Sequence, residues 1–262
     1  MDEKKQRSLD AKDAYEAIAP VYDAFTAGYD FDLWINQMLP KLEEQGLKGD
    51  RLLDIGCGTG RSLLAMVERG WIATACDISP AMVKIAETKL GERAEFYVAD
   101  MRDLPTFGAF DLIWALDDAV NYLLSKAELE EALTKMRRNL ADGGMIVFDL
   151  NTARVYRTFF AERVVVDDGG RHLIWEGLGG TDFKVGGLAS ARFHESPINQ
   201  TGPSIPAHIH RQRHFPMETV LSAMGATGLN CSAVFGHEDD AIPNPHLDEE
   251  VHTKAVYVAK AI

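Results

Sequence analysis

Apolar positions recur at two different periods along the chain. Over residues 14–44, Ile18, Val21, Tyr22, Phe25, Leu33, Trp34, Met38 and Leu42 fall at helical spacing, with Gly28 and Pro40 as punctuation. This spacing predicts two helices with a break near 26–28, preceded by a charged stretch, 1–12, that should fray. Short apolar runs then alternate with helical patterns: strands at 51–55, 71–76, 95–99, 110–116 and 145–150. Between them lie helices at 61–69, after Ser79-Pro80, and from Ser125-Lys-Ala-Glu128 to about 140. Ser79 is a natural N-cap with proline at the first helical position, and Ser125 with Glu128 forms a capping box. After a turn at 142–144 and the strand it opens, the period changes to that of β-structure at 163–167, 173–176, 189–194 and 208–215, broken by glycine- and proline-containing turns. A helix at 217–226 and strands near 230–235 and 254–259 close the chain.

Strands alternating with helices of about ten residues predict an α/β fold: a doubly wound, mostly parallel seven-stranded sheet, with an antiparallel β insertion after the fifth strand. Four regions follow: a helical lid at 1–45, a ligand-binding core at 46–150, a β-rich insertion at 151–215, and a C-terminal helix and strands at 216–262 that complete the core sheet.

Composition narrows the function. The 262 residues, 46% hydrophobic, suffice for one large domain. A net charge of −13 with no long basic run argues against a nucleic-acid partner. Three cysteines without a CxxC pair suit a reducing compartment, and neither a membrane span nor a signal peptide is evident. These features predict a cytoplasmic protein, monomeric or homodimeric, acting on a small molecule.

The chemistry concentrates in Asp54-Ile-Gly56-Cys57-Gly58-Thr59-Gly60, between a strand and a helix. The glycines allow a tight turn and close approach to a ligand, and the helix start offers free N–H groups. A dinucleotide fingerprint spaces its glycines GxGxxG. Here the third glycine comes one residue early and an aspartate precedes the first. That aspartate would repel a pyrophosphate but attract the ammonium of an amino acid. Asp77 ends the second strand 23 residues later, where a carboxylate can accept both ribose hydroxyls, and Ile78 can pack on adenine. Asp100-Met101 ends the third strand, within reach of the adenine amine. Three acids at successive strand ends meet in one crevice and point to an adenosyl amino acid.

LLDIGCGTG at 52–60, CDIS at 76–79, VADMRDLP at 98–105 and FDLIWALDDAVNYL at 110–123 resemble successive motifs of the class I S-adenosylmethionine-dependent methyltransferases. The resemblance implies S-adenosylmethionine as cofactor, with Gly56, Cys57, Gly58 and Thr59 at its methionine end, Asp77 on the ribose, Asp100 and Met101 on adenine, and Leu116 closing the fourth strand. YEAIAPVYDAF at 15–25 resembles the lid helix of small-molecule members, and the layout after 150 is similar to that of macrolide amino-sugar N,N-dimethyltransferases, which implies a role in natural-product biosynthesis.

Methyl transfer needs a positioned nucleophile and, for an O–H or a protonated amine, a proton acceptor. Asp117 and Asp118 follow the fourth strand as candidate proton acceptor and substrate cation holder; alternatively they cap the next helix. Asn121 and Tyr122 lie a turn further on. In His208-Ile-His210-Arg-Gln212-Arg-His214, strand alternation puts the histidines and Gln212 on one face and Arg211 and Arg213 on the other. His208 or His210 is then a candidate base and Arg211 a substrate contact, against a plain solvated strand face; no metal site is expected. On the lid, Tyr15, Tyr22 and Trp34 are candidates to cover a sulfonium. Arg61 is placed beside the cofactor, to neutralise a carboxylate or cap the surface. The tail at 246–250 reads as a solvated loop. Two alternatives keep the cofactor: an RNA-modifying enzyme, and a binding protein without catalysis.

Overall fold

The computed structural model describes the backbone of residues 3–197, 207–238 and 242–262; part of the predicted insertion, 198–206, lies outside them. The N-terminal segment expected to form a lid comprises α1 (Glu3–Ile18), a 3₁₀ turn at Ala19–Val21, α2 (Tyr22–Phe25) and α3 (Phe31–Glu44). Helix therefore starts at Glu3, where fraying was expected. The predicted break falls after Phe25, where Asp30 accepts from the Leu33 N–H and starts α3. Pro40 does not end that helix but sits inside it, where it forgoes one main-chain hydrogen bond.

The core contains β1 (Arg51–Ile55), α4 (Arg61–Glu68), β2 (Ile72–Asp77), α5 (Pro80–Leu90), β3 (Ala94–Val98), β4 (Phe110–Ala115), α6 (Lys126–Arg137) and β5 (Leu140–Asn151). Ser79 and Ser125 cap α5 and α6 through their hydroxyls, as their sequence contexts predict. The expected turn at 142–144 is instead an irregularity within β5. Gly143 has φ +77°, and a Cβ on Gly144 would stand 2.8 Å from the Phe110 carbonyl, so the glycines keep β5 paired with β4.

After α7 (Ala153–Arg157) come β6 (Arg163–Asp167), β7 (Arg171–Gly177), β8 (Leu188–Pro197) and β9 (His208–Arg213), an antiparallel sheet in that order. Finally α8 (Met217–Ala226), β10 (Leu229–His237) and β11 (Lys254–Ala261) return to the main sheet. Its seven strands run β10-β11-β5-β4-β1-β2-β3, all parallel pairs except those made by β11. The fold is the expected α/β arrangement.

Two apolar clusters cover the faces of this sheet. A third joins the lid to the insertion, packing Ile18, Ala19 and Val21 with Tyr156, Phe160, Trp175 and Phe193. That cluster fixes the insertion above the carboxyl ends of β4 and β5, where an open α/β sheet binds its ligands. Among the described residues no helix is long and apolar enough to cross a membrane.

Candidate functional site

The crevice begins where β1 ends. Gly56, Gly58 and Gly60 all have left-handed φ, +72°, +52° and +80°, a conformation that a side chain would strain. The N–H groups of Gly56 and Cys57 donate to the Cys76 carbonyl at 2.8 and 3.0 Å, seating the loop against the end of β2. There Asp77 accepts from the Gly58 and Ser79 N–H groups at 3.0 and 2.8 Å. Asp54 accepts from the Ser62 hydroxyl at 3.0 Å. Burial pushes Asp54 up to about 7, and pushes Asp77 up to about 6 despite its N–H donors.

The predicted Cys57, Thr59, Arg61, Ile78, Asp100, Met101 and Leu116 line the same crevice. Both guanidinium groups on its wall are already engaged. Asp100 accepts from Arg102 Nε at 2.9 and 3.1 Å and from its Nη2 at 2.8 Å, while Arg61 donates to the Thr26 and Tyr29 carbonyls at 2.6 Å. A pyrophosphate would meet four acids, Asp54, Asp77, Asp100 and Asp117, and two guanidinium groups that already have partners. A ligand with ribose hydroxyls, an ammonium and a sulfonium finds acceptors instead, so the donor set fits an adenosyl amino acid.

From the lid, Tyr15, Tyr22 and Phe31 line the crevice. Trp34 does not. It is buried edge-on against Trp114, 6.3 Å between centroids, because the stripe Trp34, Ile35, Met38 and Leu42 is the face of α3 that packs on the sheet. Phe31 stands in its place, and it also receives the Arg61 guanidinium on its ring. Asp23 accepts from Thr59 and pairs with Lys89, tying α2 to the glycine loop and α5.

At the far end, Asp117 and Asp118 both have left-handed φ, +57° and +55°. Asp118 makes no side-chain cap, so the helix-cap reading fails. The pair is held from below: Asp149 accepts the N–H of Asp117 at 2.6 Å and of Asp118 at 3.0 Å. Lys254, 8% exposed, reaches Asp118 at 2.8 Å, Asp149 at 3.1 Å and Asp117 at 3.7 Å. Burial opposes its charge, but the three carboxylates outweigh that and hold its pKa well above the ordinary lysine value. Burial lifts Asp117 to about 6, with Lys254 pulling the other way, and its carboxylate accepts from the Tyr22 hydroxyl at 3.2 Å.

Gln212 donates to Asp118 and accepts from Asn151 and Tyr156 at 2.9 and 3.2 Å. Asn121 is buried, accepting from the Asn151 N–H and donating to the Arg213 carbonyl. It thus braces the insertion rather than facing the crevice.

A second cavity of about 360 Å³ opens beyond the crevice, between the lid break, α7, the insertion and the first residue of β11. Asp117 lines both spaces, and among the described residues no other is common to them.

Strand β9 alternates as predicted, but its inward face is not solvated. His210 and Gln212 are each 1% exposed. The His210 Nδ1 lies 2.8 Å from the Tyr122 hydroxyl, and its ring is surrounded by Tyr15, Tyr122, Trp175 and Phe193. Burial, with His208 nearby, lowers its pKa to about 4 and keeps it neutral. His210 lines neither space; Tyr122, its partner, lines the crevice. His208 and Arg211 lie elsewhere, in a groove against α1 where Arg211 approaches Asp10 at 3.7 Å, so neither reaches the crevice. The tail is not free either. Gly186 N–H donates to His214 Nδ1, leaving the proton on Nε2, which meets Glu249 at 2.7 Å.

Sequence reasoning missed Phe31, Asp149 and Lys254. A lone acid near the end of the apolar strand 145–150, and a lone lysine opening the apolar run 255–259, were the available signals.

Comparisons agree with this geometry. Residues 52–144 match the family model described as "Methyltransferase domain". A Bacillus subtilis protein named "Putative methyltransferase YqeM" is 28% identical over 244 residues, 88% of this chain and 92% of its own length. An S-adenosylmethionine-dependent methyltransferase from Clostridium acetobutylicum superposes over 95% of this chain and 99% of its own, with TM-score 0.76 at 22% identity. The sugar N-methyltransferase KedS8 from Streptoalloteichus does so over 91% and 92%, with TM-score 0.68 at 26% identity.

Proposed function

We propose that this chain, which is an S-adenosylmethionine-dependent methyltransferase of Rossmann-like fold, methylates N or O of a small molecule lying in the second cavity. The observation that carries the reading is Asp117, the residue shared by the cofactor crevice and that cavity. Bound in the crevice, the cofactor supplies an electrophilic methyl group on a sulfonium. Asp77 would accept the ribose hydroxyls, with Ile78, Asp100 and Met101 around adenine and Asp54 facing the amino-acid end together with the loop at Gly56, Cys57, Gly58 and Thr59. Tyr15, Tyr22 and Phe31 would exclude water from above.

Asp117 takes the proton that the acceptor's N–H or O–H loses. Its raised pKa suits that task, since a carboxylate near 6 is a better base at neutral pH than one near 4. Asp118, Asp149 and Lys254 hold it in place. His210 acts through the Tyr122 hydroxyl as a positioning residue. The relatives' small-molecule acceptors, the sugar of KedS8 among them, support a secondary metabolite as acceptor and a role in natural-product biosynthesis.

Incubation with methyl-labelled cofactor and either an extract of small metabolites or total RNA tests the reading. Label should enter the small-molecule pool, and Asp117→Asn should abolish it. Label in RNA would overturn the acceptor assignment, and label in neither pool would favour a cofactor-binding protein without catalysis.

A further inference from the structure

The second cavity has linings of two kinds. Asp117, Asp118 and Lys254 line it, and with Asp149 behind them three carboxylates surround that one ammonium, leaving an excess of two negative charges in a half-buried site. The three acids are unequally satisfied. Asp149 has two backbone N–H donors and Lys254, and Asp118 has Lys254 and Gln212. Among the described residues Asp117 has the Tyr22 hydroxyl at 3.2 Å and Lys254 at 3.7 Å, although it is the one at the junction. A ligand cation meets that carboxylate with a charge-assisted hydrogen bond, stronger than any that a neutral hydroxyl makes.

Aromatic side chains line the same cavity, beside the polar Asp30, Thr158, Glu238 and Thr253. Phe159 and Trp175 are stacked, 4.9 Å between centroids and 19° between planes, and Phe160 meets Trp175 edge-on at 5.3 Å. Val155 and Leu33 extend this apolar surface. It favours a flat ring and disfavours unpaired hydroxyls, which lose their hydration without gaining partners.

We propose that the second cavity binds a primary or secondary ammonium carried on a flat apolar ring, the nitrogen at Asp117 and the ring against Phe159 and Trp175. This rests on the cavity being the acceptor site. It separates the acceptor from amino sugars, whose ring faces would leave several hydroxyls against Phe159, Phe160 and Val155.

Titration calorimetry on the protein saturated with S-adenosylhomocysteine tests the inference, with 2-phenylethylamine, 2-phenylethanol and glucosamine as probes. The phenyl amine is expected to bind at least tenfold more tightly than either other probe. Asp117→Asn should bring amine and alcohol to near parity. Phe159→Leu should weaken both phenyl probes together and leave S-adenosylhomocysteine affinity unchanged. Parity of amine and alcohol on the unaltered protein, tighter binding of glucosamine, or no binding of the amine would each overturn the proposal. The underlying reading fails differently: S-adenosylhomocysteine itself would not bind, or the amine would bind as expected while label from the cofactor entered only RNA.

Discussion

The two ends of the crevice are built in opposite ways. At the cofactor end, consecutive loop residues do the work with their backbones, and the side chain that pins them is near in sequence; Asp77 and Gly58 are 19 positions apart. At the end beside the second cavity the contacts are between side chains from remote elements. Asp118 meets Gln212 across 94 positions and Lys254 across 136, and Tyr22 meets Asp117 across 95. The charges are also handled differently. Asp54 and Asp77 rely on a hydroxyl and on backbone N–H groups, whereas the acids at the other end share a buried lysine. A ligand-binding loop can thus be a local object, while a pocket that selects its ligand is assembled only once the whole chain has folded.

This contrast can be broken from either side. The largest effect is expected from Asp117→Asn: turnover should fall by about 10²–10⁴, the usual contribution of a general base, with S-adenosylhomocysteine affinity within about twofold of the original. A parallel loss of cofactor affinity would assign Asp117 to the other end. Lys254→Met should leave the buried Asp149 and the half-buried Asp117 and Asp118 uncompensated and lower stability by about 3 kcal/mol, read as a lower urea midpoint at unchanged slope. An unchanged midpoint would mean that the acids do not depend on the lysine.

Asp77→Ala should weaken S-adenosylhomocysteine by about 10–100-fold through lost hydrogen bonds to a charged acceptor, with turnover at saturating cofactor little changed. Acid–base behaviour gives the smallest signal. Asp54 at about 7 and Asp77 at about 6 both lie above the ordinary value of 3.8, so the folded chain holds protons more tightly than the unfolded one. The resulting stabilisation is complete below about pH 4 and is lost as pH rises through 6 to 7. Between pH 5 and pH 6 the cofactor-free protein should lose about 1 kcal/mol more stability than Asp54→Asn, measured by urea unfolding at both values. Equal losses would remove Asp54 as the source.

The same contrast explains what was legible in the sequence. Strand and helix positions were readable because burial on both sides of a parallel sheet leaves continuous apolar runs. The cofactor crevice was readable because Asp54, Asp77 and Asp100 sit at strand ends whose order fixes their position. Trp34 was misassigned because a single helical stripe does not say which of two neighbouring aromatics, 31 or 34, faces the ligand. His208 was misassigned for a related reason: period-two alternation gives the face of a strand but not how far along it the site extends. Lys254 was invisible as a functional residue because its partners, Asp118 and Asp149, become neighbours only through strand pairing of β5 with β11.

The grip of Arg61 on the carbonyls of Thr26 and Tyr29 bears on the kinetic order of events. The segment it holds lies between Tyr22 and Phe31, which line the crevice, and itself supplies Gly28 and Tyr29 to the wall of the second cavity. Ordering Tyr22 and Phe31 over a first ligand would thus also order a wall for the second. On the proposed function an ordered sequence is expected, with S-adenosylmethionine entering first and the methylated product departing before S-adenosylhomocysteine. Initial-rate experiments should therefore find S-adenosylhomocysteine competitive against S-adenosylmethionine and noncompetitive against the acceptor. Arg61→Ala should relax that order toward random entry.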